Sequence, residues 1–274
     1  MPVDPQLRSL NIDIPAQPES LVQLSMLLAR EDVNLQAVSA LISADMALAS
    51  AVLKAVNSSL YGLRGRVQSV QQAITHLGTR EVASVTFEMG LRAVFPPAPE
   101  LLPLWERASV RALLMGRIGQ ALNVDAWAAH SAGLFEECGK AVMFRHASDR
   151  YRPMLAKAEN DEELLMLELA EFGVSHDTLG GALCESWGVA PSAVDSVRFH
   201  VIVNSTLELP MQLAQREICA LSALANALMT DPERIGEVAD KVAPQAGLDP
   251  SRVERATRRV QEHIEAAVAR QEDD

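Results

Sequence analysis

The sequence is poor in aromatic residues and in cysteine. Phe, Trp and Tyr together make up only 4% of the 274 residues. Alanine, leucine and valine are frequent instead, and this balance favours close helix packing over a strand-rich core. We therefore predict an all-α protein. Cys138, Cys184 and Cys219 are odd in number and far apart, so we expect buried thiols and no disulfide framework.

Long hydrophobic runs and an excess of positive charge are also missing. No apolar run approaches the ~20 residues that a membrane-spanning helix needs. Residues 1–11 lack the basic and hydrophobic regions of a signal peptide, so we expect a cytoplasmic protein. The formal net charge is -12. Because nucleic acids and anionic membranes attract dense Lys/Arg patches, we expect neither to be a partner.

Helical periodicity and capping residues divide the chain into short helices. Residues 1–18 contain four prolines and are predicted to form an N-terminal arm. Asn34 and Asp45 are expected to cap the helices 35–43 and 46–57. The PPAPE segment, residues 96–100, is predicted to be a hinge. The predicted helices include 19–30, 35–43, 46–57, 81–94, 101–122, 126–144, 145–160, 161–172 and 210–229, with Asp161 capping its helix.

The most specific stretch of the chain is residues 57–81, which read NSSLYGLRGRVQSVQQAITHLGTRE. A polar pair closes one helix, and Ser69 and Gln72 have the spacing of a capping box. Gly78 suits the left-handed end of a helix, and Thr79 is predicted to cap the helix that follows. The order and spacing of these signals together are more specific than any one of them.

This stretch resembles the hallmark segment of HDOD domains, a bacterial signal-transduction family related to the HD metal-dependent phosphohydrolases. The matching residues are Asn57, Ser58, Tyr61, Gly62, Ser69, Ala73, Ile74, Leu77 and Gly78. A second matching set is Glu168, Phe172 to His176, Gly180, Leu183, Trp187 to Val189, Pro191, Val194 and Val197 to His200. The resemblance covers roughly residues 15–205 and implies an HDOD domain (19–205) with an N-terminal helical lobe (19–95) and an HD-like lobe (101–205). Outside it we predict the N-terminal arm (1–18) and C-terminal helices (206–274) packed on the HD-like lobe.

The resemblance also locates the positions where HD enzymes hold metal ions. Such enzymes use a His on one helix and an adjacent His-Asp pair on the next, because clustered imidazole and carboxylate groups bind divalent metals. Where the family has GLLHDIGK, this chain has GLFEECGK at 133–140. Glu136 and Glu137 replace the His-Asp pair, and Arg107 or Ala108 replaces the first His. We therefore expect no metal, no cofactor and no catalysis.

We interpret Glu136 and Glu137 as a solvated helix edge, with Arg107 or Lys140 as a candidate partner of Glu136. His130 is a tempting substitute ligand, but a lone His on a helix is more often a structural group. His176 is interpreted as a packing and hydrogen-bonding residue, since a functional role would need an acidic partner. Where family members often carry two histidines, this chain has His200-Val201, which removes one potential ligand.

Three functions are compatible with the resemblance. The preferred one is a non-catalytic regulatory module that contacts other signalling proteins in trans and retains the HD frame as architecture. The alternatives are a divergent metal-dependent phosphohydrolase using Glu136, Glu137, His130 and His176, and a nucleotide-binding sensor using Arg107 and Lys140 as phosphate partners. The oligomeric state stays open.

We look for contact residues on the signature turn of the hallmark segment, which carries Asn57, Ser58, Tyr61 and Arg64. Polar loop residues between helices are suitable recognition points. For Asn57 and Ser58 we favour the simpler interpretation that they satisfy buried backbone groups. We expect alanine at Arg64 or Arg66 to weaken a partner with little change in stability, and Asn57→Ala to cost folding. The family-motif and contact candidates are Asn57, Ser58, Tyr61, Gly62, Arg64, Leu77, Gly78, His176, Trp187 and His200. Trp187 is expected to bury its ring.

Overall fold

The computed structural model describes residues 12–28, 34–61, 63 and 66–272, and every regular element among them is a helix. The all-α prediction is therefore confirmed. The α-helices are α1 (Glu19–Leu28), α2 (Leu35–Ala44), α3 (Met46–Val56), α4 (Val70–Leu77), α5 (Thr79–Ala93), α6 (Leu102–Leu122), α7 (Ala126–Phe135), α8 (Cys138–Lys157), α9 (Asp161–Phe172), α10 (His176–Ser186), α11 (Pro191–Thr206), α12 (Glu217–Thr230), α13 (Ile235–Gln245) and α14 (Pro250–Glu272).

The chain forms two compact units. The larger unit comprises residues 1–15 and 95–261, and the smaller unit comprises residues 16–94 and 262–274. The predicted C-terminal segment is thus divided between the units after Gln261. In the larger unit, α10 packs against α8 and α11, and α12 packs against α6 and α11. In the smaller unit, α5 packs against α3 and α4.

The predicted caps of the smaller unit are confirmed at two helix starts. The Asn34 side chain accepts hydrogen bonds from the backbone N–H groups of Gln36 and Ala37. The Asp45 side chain accepts one from Leu48. Each cap satisfies backbone donors that have no partner inside the helix. Short polar residues therefore set the boundaries of α2 and α3.

The cap predicted at Thr79 is wrong. α5 begins at Thr79 itself, and Gly78 is the residue before the helix, with φ 86° and ψ 162°. This backbone conformation is open to glycine and strained for other residues, so Gly78 ends α4 and starts α5 without a spacer. Ser69 does cap α4, accepting from the backbone N–H of Gln72. The Gln72 side chain in turn accepts from Gln68.

The helix predicted at 126–144 is interrupted. α7 ends at Phe135, and α8 runs from Cys138 to Lys157, so the predicted boundary near residue 145 lies inside α8. α8 instead has a kink at Ala147, with φ -150° and ψ 60°. The break after Phe135 places Glu136 and Glu137 at the junction of two helices and not on a continuous helical face.

Among the helices of the described residues, none is by itself long and apolar enough to cross a bilayer. The neighbouring helices α2 and α3 reach that length and apolarity only together, across a bend of 114°.

Candidate functional site

Glu136 and Glu137 lie inside the larger unit because neighbouring helices approach the α7–α8 junction closely. A Cβ atom on Gly133 would lie 2.8 Å from backbone atoms of α6. A Cβ atom on Gly139 would lie 1.7 Å from the carbonyl oxygen of His176 in α10. Only glycine permits such backbone approaches. The two Glu residues are consequently 0% and 1% exposed, and the predicted solvated helix edge is wrong.

Cations from α6 and α8 neutralise both carboxylates. The buried Arg111 guanidinium lies 2.5 Å from Glu136 Oε2 and 3.6 Å from Glu137 Oε1. Arg107 contacts Glu137 at 3.0 Å, and Lys140 Nζ contacts the same carboxylate at 2.9 Å. The partner of Glu136 is therefore Arg111, one helical turn after the predicted Arg107. Sequence reasoning missed Arg111 because it compared only the single position where the family has its first His.

Asp161 completes this ion-pair network. Its carboxylate lies 2.7 Å from Lys140 Nζ. The prediction that Asp161 caps α9 is wrong, because Asn160 accepts the hydrogen bond from the backbone N–H of Glu163 and Asp161 is the first residue of the helix. With the capping role filled by its neighbour, the Asp161 side chain is available to Lys140.

The network holds Glu137, Asp161 and Lys140 in their charged forms. Burial raises the pKa of Glu137, but Lys140, Arg111 and Arg107 outweigh burial and hold that pKa well below its ordinary value. Burial likewise raises the pKa of Asp161, yet Lys140 lowers it to about 2. For Lys140, burial lowers the pKa, and Glu137 and Asp161 more than restore it. At neutral pH the buried charges therefore balance one another.

A second buried polar group surrounds His176. Its Nδ1 atom lies 2.7 Å from Glu168 Oε2, and its backbone N–H donates to the same oxygen at 2.7 Å. The hydroxyl of Tyr151 donates to the other Glu168 oxygen. Burial and the adjacent Glu168 carboxylate raise the pKa of Tyr151 well above its ordinary value. Glu168 is thus the acidic partner that the sequence could not assign to His176.

His200 lies beside His176, with ring centroids 5.4 Å apart. Its Nδ1 atom donates to the carbonyl oxygen of Val197 at 2.7 Å. Burial is the main cause that lowers the pKa of His200. Ligand atoms of Asp161, His176 and His200 all lie within 4.8 Å of one another. Within the part of the chain that the structure describes, His176 Nε2 is buried without a hydrogen-bond partner.

A cleft of about 530 Å³ opens beside the ion-pair network. Arg107, whose side chain is 45% exposed, lies on its wall. Asp161 also lines the cleft, and the polar side chains of Asn204 and Asn226 face it from α11 and α12. The cleft therefore combines an accessible guanidinium group with amides that can donate and accept hydrogen bonds.

Trp187 is 5% exposed, so its predicted burial is confirmed. Its ring meets Phe135 edge to face, with centroids 5.7 Å apart. The indole Nε1–H donates to the carbonyl oxygen of Pro15 at 2.8 Å. Trp187 thus fixes the end of the N-terminal arm to the larger unit.

The signature turn of the smaller unit is held by Asn57. Its side-chain amide donates to the carbonyl oxygens of Leu53 and Val67, at 2.7 and 2.9 Å, and accepts from the Val67 backbone N–H at 2.8 Å. This confirms the interpretation of Asn57 as a group that satisfies the backbone. Ser58 is exposed and Tyr61 is buried, so these neighbours have different roles.

The remaining candidates of the hallmark segment are Leu77, Gly78, Gly62 and Arg64. Leu77 is half-buried, and Gly78 has the backbone role described above. Gly62 and Arg64 lie outside the described residues. An open groove of about 1190 Å³ borders the turn, and its lining residues are Met46, Ala49, Ser50, Leu53, Lys54, Asn57, Leu63, Arg66, Val67 and Gln68.

The family model of the HDOD domain matches residues 14–203. The chain belongs to the HDOD family. A curated relative, an uncharacterized protein of Treponema pallidum, is 28% identical over 196 residues, which cover 69% of this chain but only 37% of the relative. This HDOD chain therefore spans much less than the full length of that protein.

Solved structures share the fold. An HDOD domain protein of Geobacter sulfurreducens is 18% identical, with a TM-score of 0.70 over 96% of this chain and 94% of its own. A protein of Marinobacter aquaeolei, named for signal transduction, is 20% identical, with a TM-score of 0.71 over 97% of this chain and 64% of its own. At these identities the likeness establishes the HDOD fold, while function has to be argued from the site.

Proposed function

We propose that this HDOD protein is a non-catalytic regulatory module that acts through contacts with other signalling proteins. The observation that carries the proposal is the ion-pair network at the positions where HD enzymes hold metal. Arg111 lies between Glu136 and Glu137, and Lys140 lies between Glu137 and Asp161. Fixed cations already neutralise Glu136 and Glu137, so a divalent metal on this pair would have to displace those cations and leave buried positive charge uncompensated.

The signature turn supports the choice of contact surface. Met46 on the adjoining groove is 81% exposed, and a flexible exposed Met suits an adaptable protein contact. Lys54 and Arg66 line the same groove and are exposed. We infer that the occupant is a partner segment that carries an apolar anchor flanked by acidic residues.

Two substitutions and one matched control test this surface. Crosslinking is followed by quantitative mass spectrometry in the native host, comparing the wild type with Met46→Ser, Arg66→Ala and Arg80→Ala. Arg80 is an exposed arginine of the same unit that does not line the groove. We expect one defined partner to be lost with the groove variants and retained with Arg80→Ala. Equal capture by all four proteins, or capture of no partner in any growth state, contradicts the proposal.

The absence of catalysis is tested separately. Purified protein is assayed for hydrolysis of bis(p-nitrophenyl) phosphate with Mn²⁺, Fe²⁺ or Zn²⁺, alongside Glu137→Gln. We expect wild type and variant to give the same background rate. Metal-dependent turnover by the wild type that Glu137→Gln abolishes would favour the phosphohydrolase alternative.

The cleft supports a second candidate, a sensor that binds an anionic nucleotide without hydrolysing it. Its volume of about 530 Å³ lies in the usual range of small-molecule sites, and Arg107 offers a guanidinium that suits phosphate. Thermal-shift screening with cyclic dinucleotides and guanosine polyphosphates tests it. A stabilising ligand whose effect disappears in Arg107→Gln supports the sensor, and no shift at millimolar ligand rejects it.

A further inference from the structure

Both histidines of the α10–α11 pair have a defined tautomer. The carbonyl oxygen of Val197 can only accept, so His200 Nδ1 carries the proton that it donates. Glu168 Oε2 already receives the backbone N–H of His176, which identifies it as an acceptor for His176 Nδ1 as well. In each neutral imidazole, the Nε2 atom is then left with a lone pair.

The two imidazoles lie beside a carboxylate. His176 Nε2 is fully buried and has no hydrogen-bond partner among the described residues, and ligand atoms of His176, His200 and Asp161 lie within 4.8 Å of one another. We propose that His176, His200 and Asp161 bind one divalent transition-metal ion of the Zn²⁺ class. The donor set of two imidazoles and one carboxylate is characteristic of such ions and leaves a coordination position for water.

The geometry requires only a small adjustment. Ligand atoms around one tetrahedral ion are about 3.3 Å apart when metal–ligand distances are about 2.0 Å, so ligand atoms that lie within 4.8 Å of one another must close by at most about 1.5 Å. Asp161 is the side chain that can move, because it is 36% exposed while both imidazoles are buried. Lys140 contacts Oδ1 of Asp161, and the second carboxylate oxygen is available for a metal. Asp161 also lines the cleft, which gives an ion a route from solvent.

Glu168 has the role of a positioning residue in this site. It accepts the Nδ1 proton of His176, and Tyr151 in turn holds the other oxygen of Glu168. A carboxylate on the far nitrogen of a histidine fixes the ring orientation and raises its basicity as a ligand. The same buried arrangement without a metal would leave the His176 Nε2 acceptor unsatisfied, which is costly in a protein interior.

The proposed site shares Asp161 with the ion-pair network, but it uses neither Glu136 nor Glu137, the two residues at the former metal positions. Glu136 and Glu137 keep Arg111 and Lys140 as partners, and no ligand comes from the 133–140 frame. A regulatory module can therefore hold a metal between α9, α10 and α11 and still lack the enzymatic frame. The ion would couple the first residue of α9 to two helices of the buried core.

The test uses full-length protein stripped with a chelator and dialysed. Zn²⁺ is titrated in competition with a chromophoric chelator, Co²⁺ is added to record the visible bands of a low-symmetry site, and unfolding is followed by tryptophan fluorescence. We expect one ion per chain with a Kd below about 1 µM and a melting temperature raised by about 5 °C or more at saturating Zn²⁺. Zn²⁺ binding weaker than about 100 µM overturns the proposal.

Variants distinguish the ligands from their surroundings. Asp161→Asn and His200→Gln are expected to weaken Zn²⁺ by at least about 100-fold, and Glu168→Gln by about 10- to 100-fold. His130→Gln, which changes a buried histidine outside the cluster, should bind as the wild type does. Asp161→Asn decides the outcome if His200→Gln fails to fold, because Asn has nearly the same size and still accepts from Lys140.

The results also separate this inference from the proposed function. Wild-type affinity in Asp161→Asn overturns the metal site and leaves the regulatory proposal intact. Loss of Zn²⁺ binding in Glu137→Gln, with binding retained in His200→Gln and Asp161→Asn, would place the ion in the old frame and overturn both.

Discussion

Removing the three cations of the ion-pair network one at a time should destabilise the protein by graded amounts. In Arg111→Met, Glu136, which is 0% exposed, keeps just one hydrogen-bond partner among the described residues, the Ser196 hydroxyl at 3.5 Å. An uncompensated buried charge of this kind costs about 3–5 kcal/mol. Lys140→Met leaves Glu137 with two other cations, and losing its charged hydrogen bonds costs about 1.5–3 kcal/mol.

Arg107→Met should cost least. Its side chain is 45% exposed, and ion pairs that reach solvent contribute about 0–1 kcal/mol. The double variant Arg111→Met with Glu136→Gln removes the stranded charge as well, so it should regain most of the stability that Arg111→Met loses. The order of the three costs follows from whether the carboxylate retains a cation and from how far the lost cation is exposed to solvent.

Urea unfolding monitored by tryptophan fluorescence reports on the larger unit, which contains the ion-pair network. All three tryptophans of the chain, Trp105, Trp127 and Trp187, belong to the larger unit. The free energy of unfolding is obtained by linear extrapolation, and an unchanged slope shows that the compared states are equivalent. A loss below about 1 kcal/mol for Arg111→Met, or no recovery in the double variant, would refute the buried-charge reasoning.

Further predictions concern the signature turn, acid stability and the helix junction. Asn57→Ala should cost about 2–4 kcal/mol, because it strands the backbone N–H and C=O of Val67, whereas Arg66→Ala should change urea stability by less than about 0.5 kcal/mol. Because the pKa of Asp161 is lowered to about 2, the stabilisation of the fold by its carboxylate is complete above about pH 5 and is lost as the pH falls towards 2. The free energy of unfolding in urea should therefore differ less between pH 3 and pH 7 in Asp161→Asn than in the wild type. Gly139→Ala should cost about 3 kcal/mol or more, because its Cβ meets the α10 backbone, and a melting temperature within 2 °C of the wild type would contradict this packing argument.

Local signals in the sequence were sufficient for the all-α class and for the caps Asn34, Asp45 and Ser69. Asn34, Asp45 and Ser69 act on donors two or three residues away, so their roles depend on short-range geometry. Asn57 was also interpreted correctly, because a polar residue at the end of an apolar helical face must satisfy backbone groups nearby. The errors at Thr79 and Asp161 arose where two adjacent residues could both cap, and only the helix start decided between them.

The buried networks could not be predicted in the same way. Arg111 and Glu136 are 25 residues apart, and Lys140 and Asp161 are 21 apart. Neither spacing brings two residues together within one helix. Their meeting depends on the close approach of α6 and α10 to the α7–α8 junction. Charged residues are almost never fully buried unless they are paired, so two adjacent Glu residues naturally suggested a solvated edge until their partners were located.

Asp161 joins the two buried groups of the larger unit. One of its oxygens contacts Lys140, which also contacts Glu137, and its carboxylate faces the imidazoles of His176 and His200. Removing the Lys140 charge should therefore act in two directions, weakening the ion-pair network while freeing Asp161 and removing a cation close to the proposed metal. Lys140→Met should bind Zn²⁺ more tightly than the wild type even though it unfolds more easily. A purely structural histidine pair would give no such opposition between stability and metal affinity.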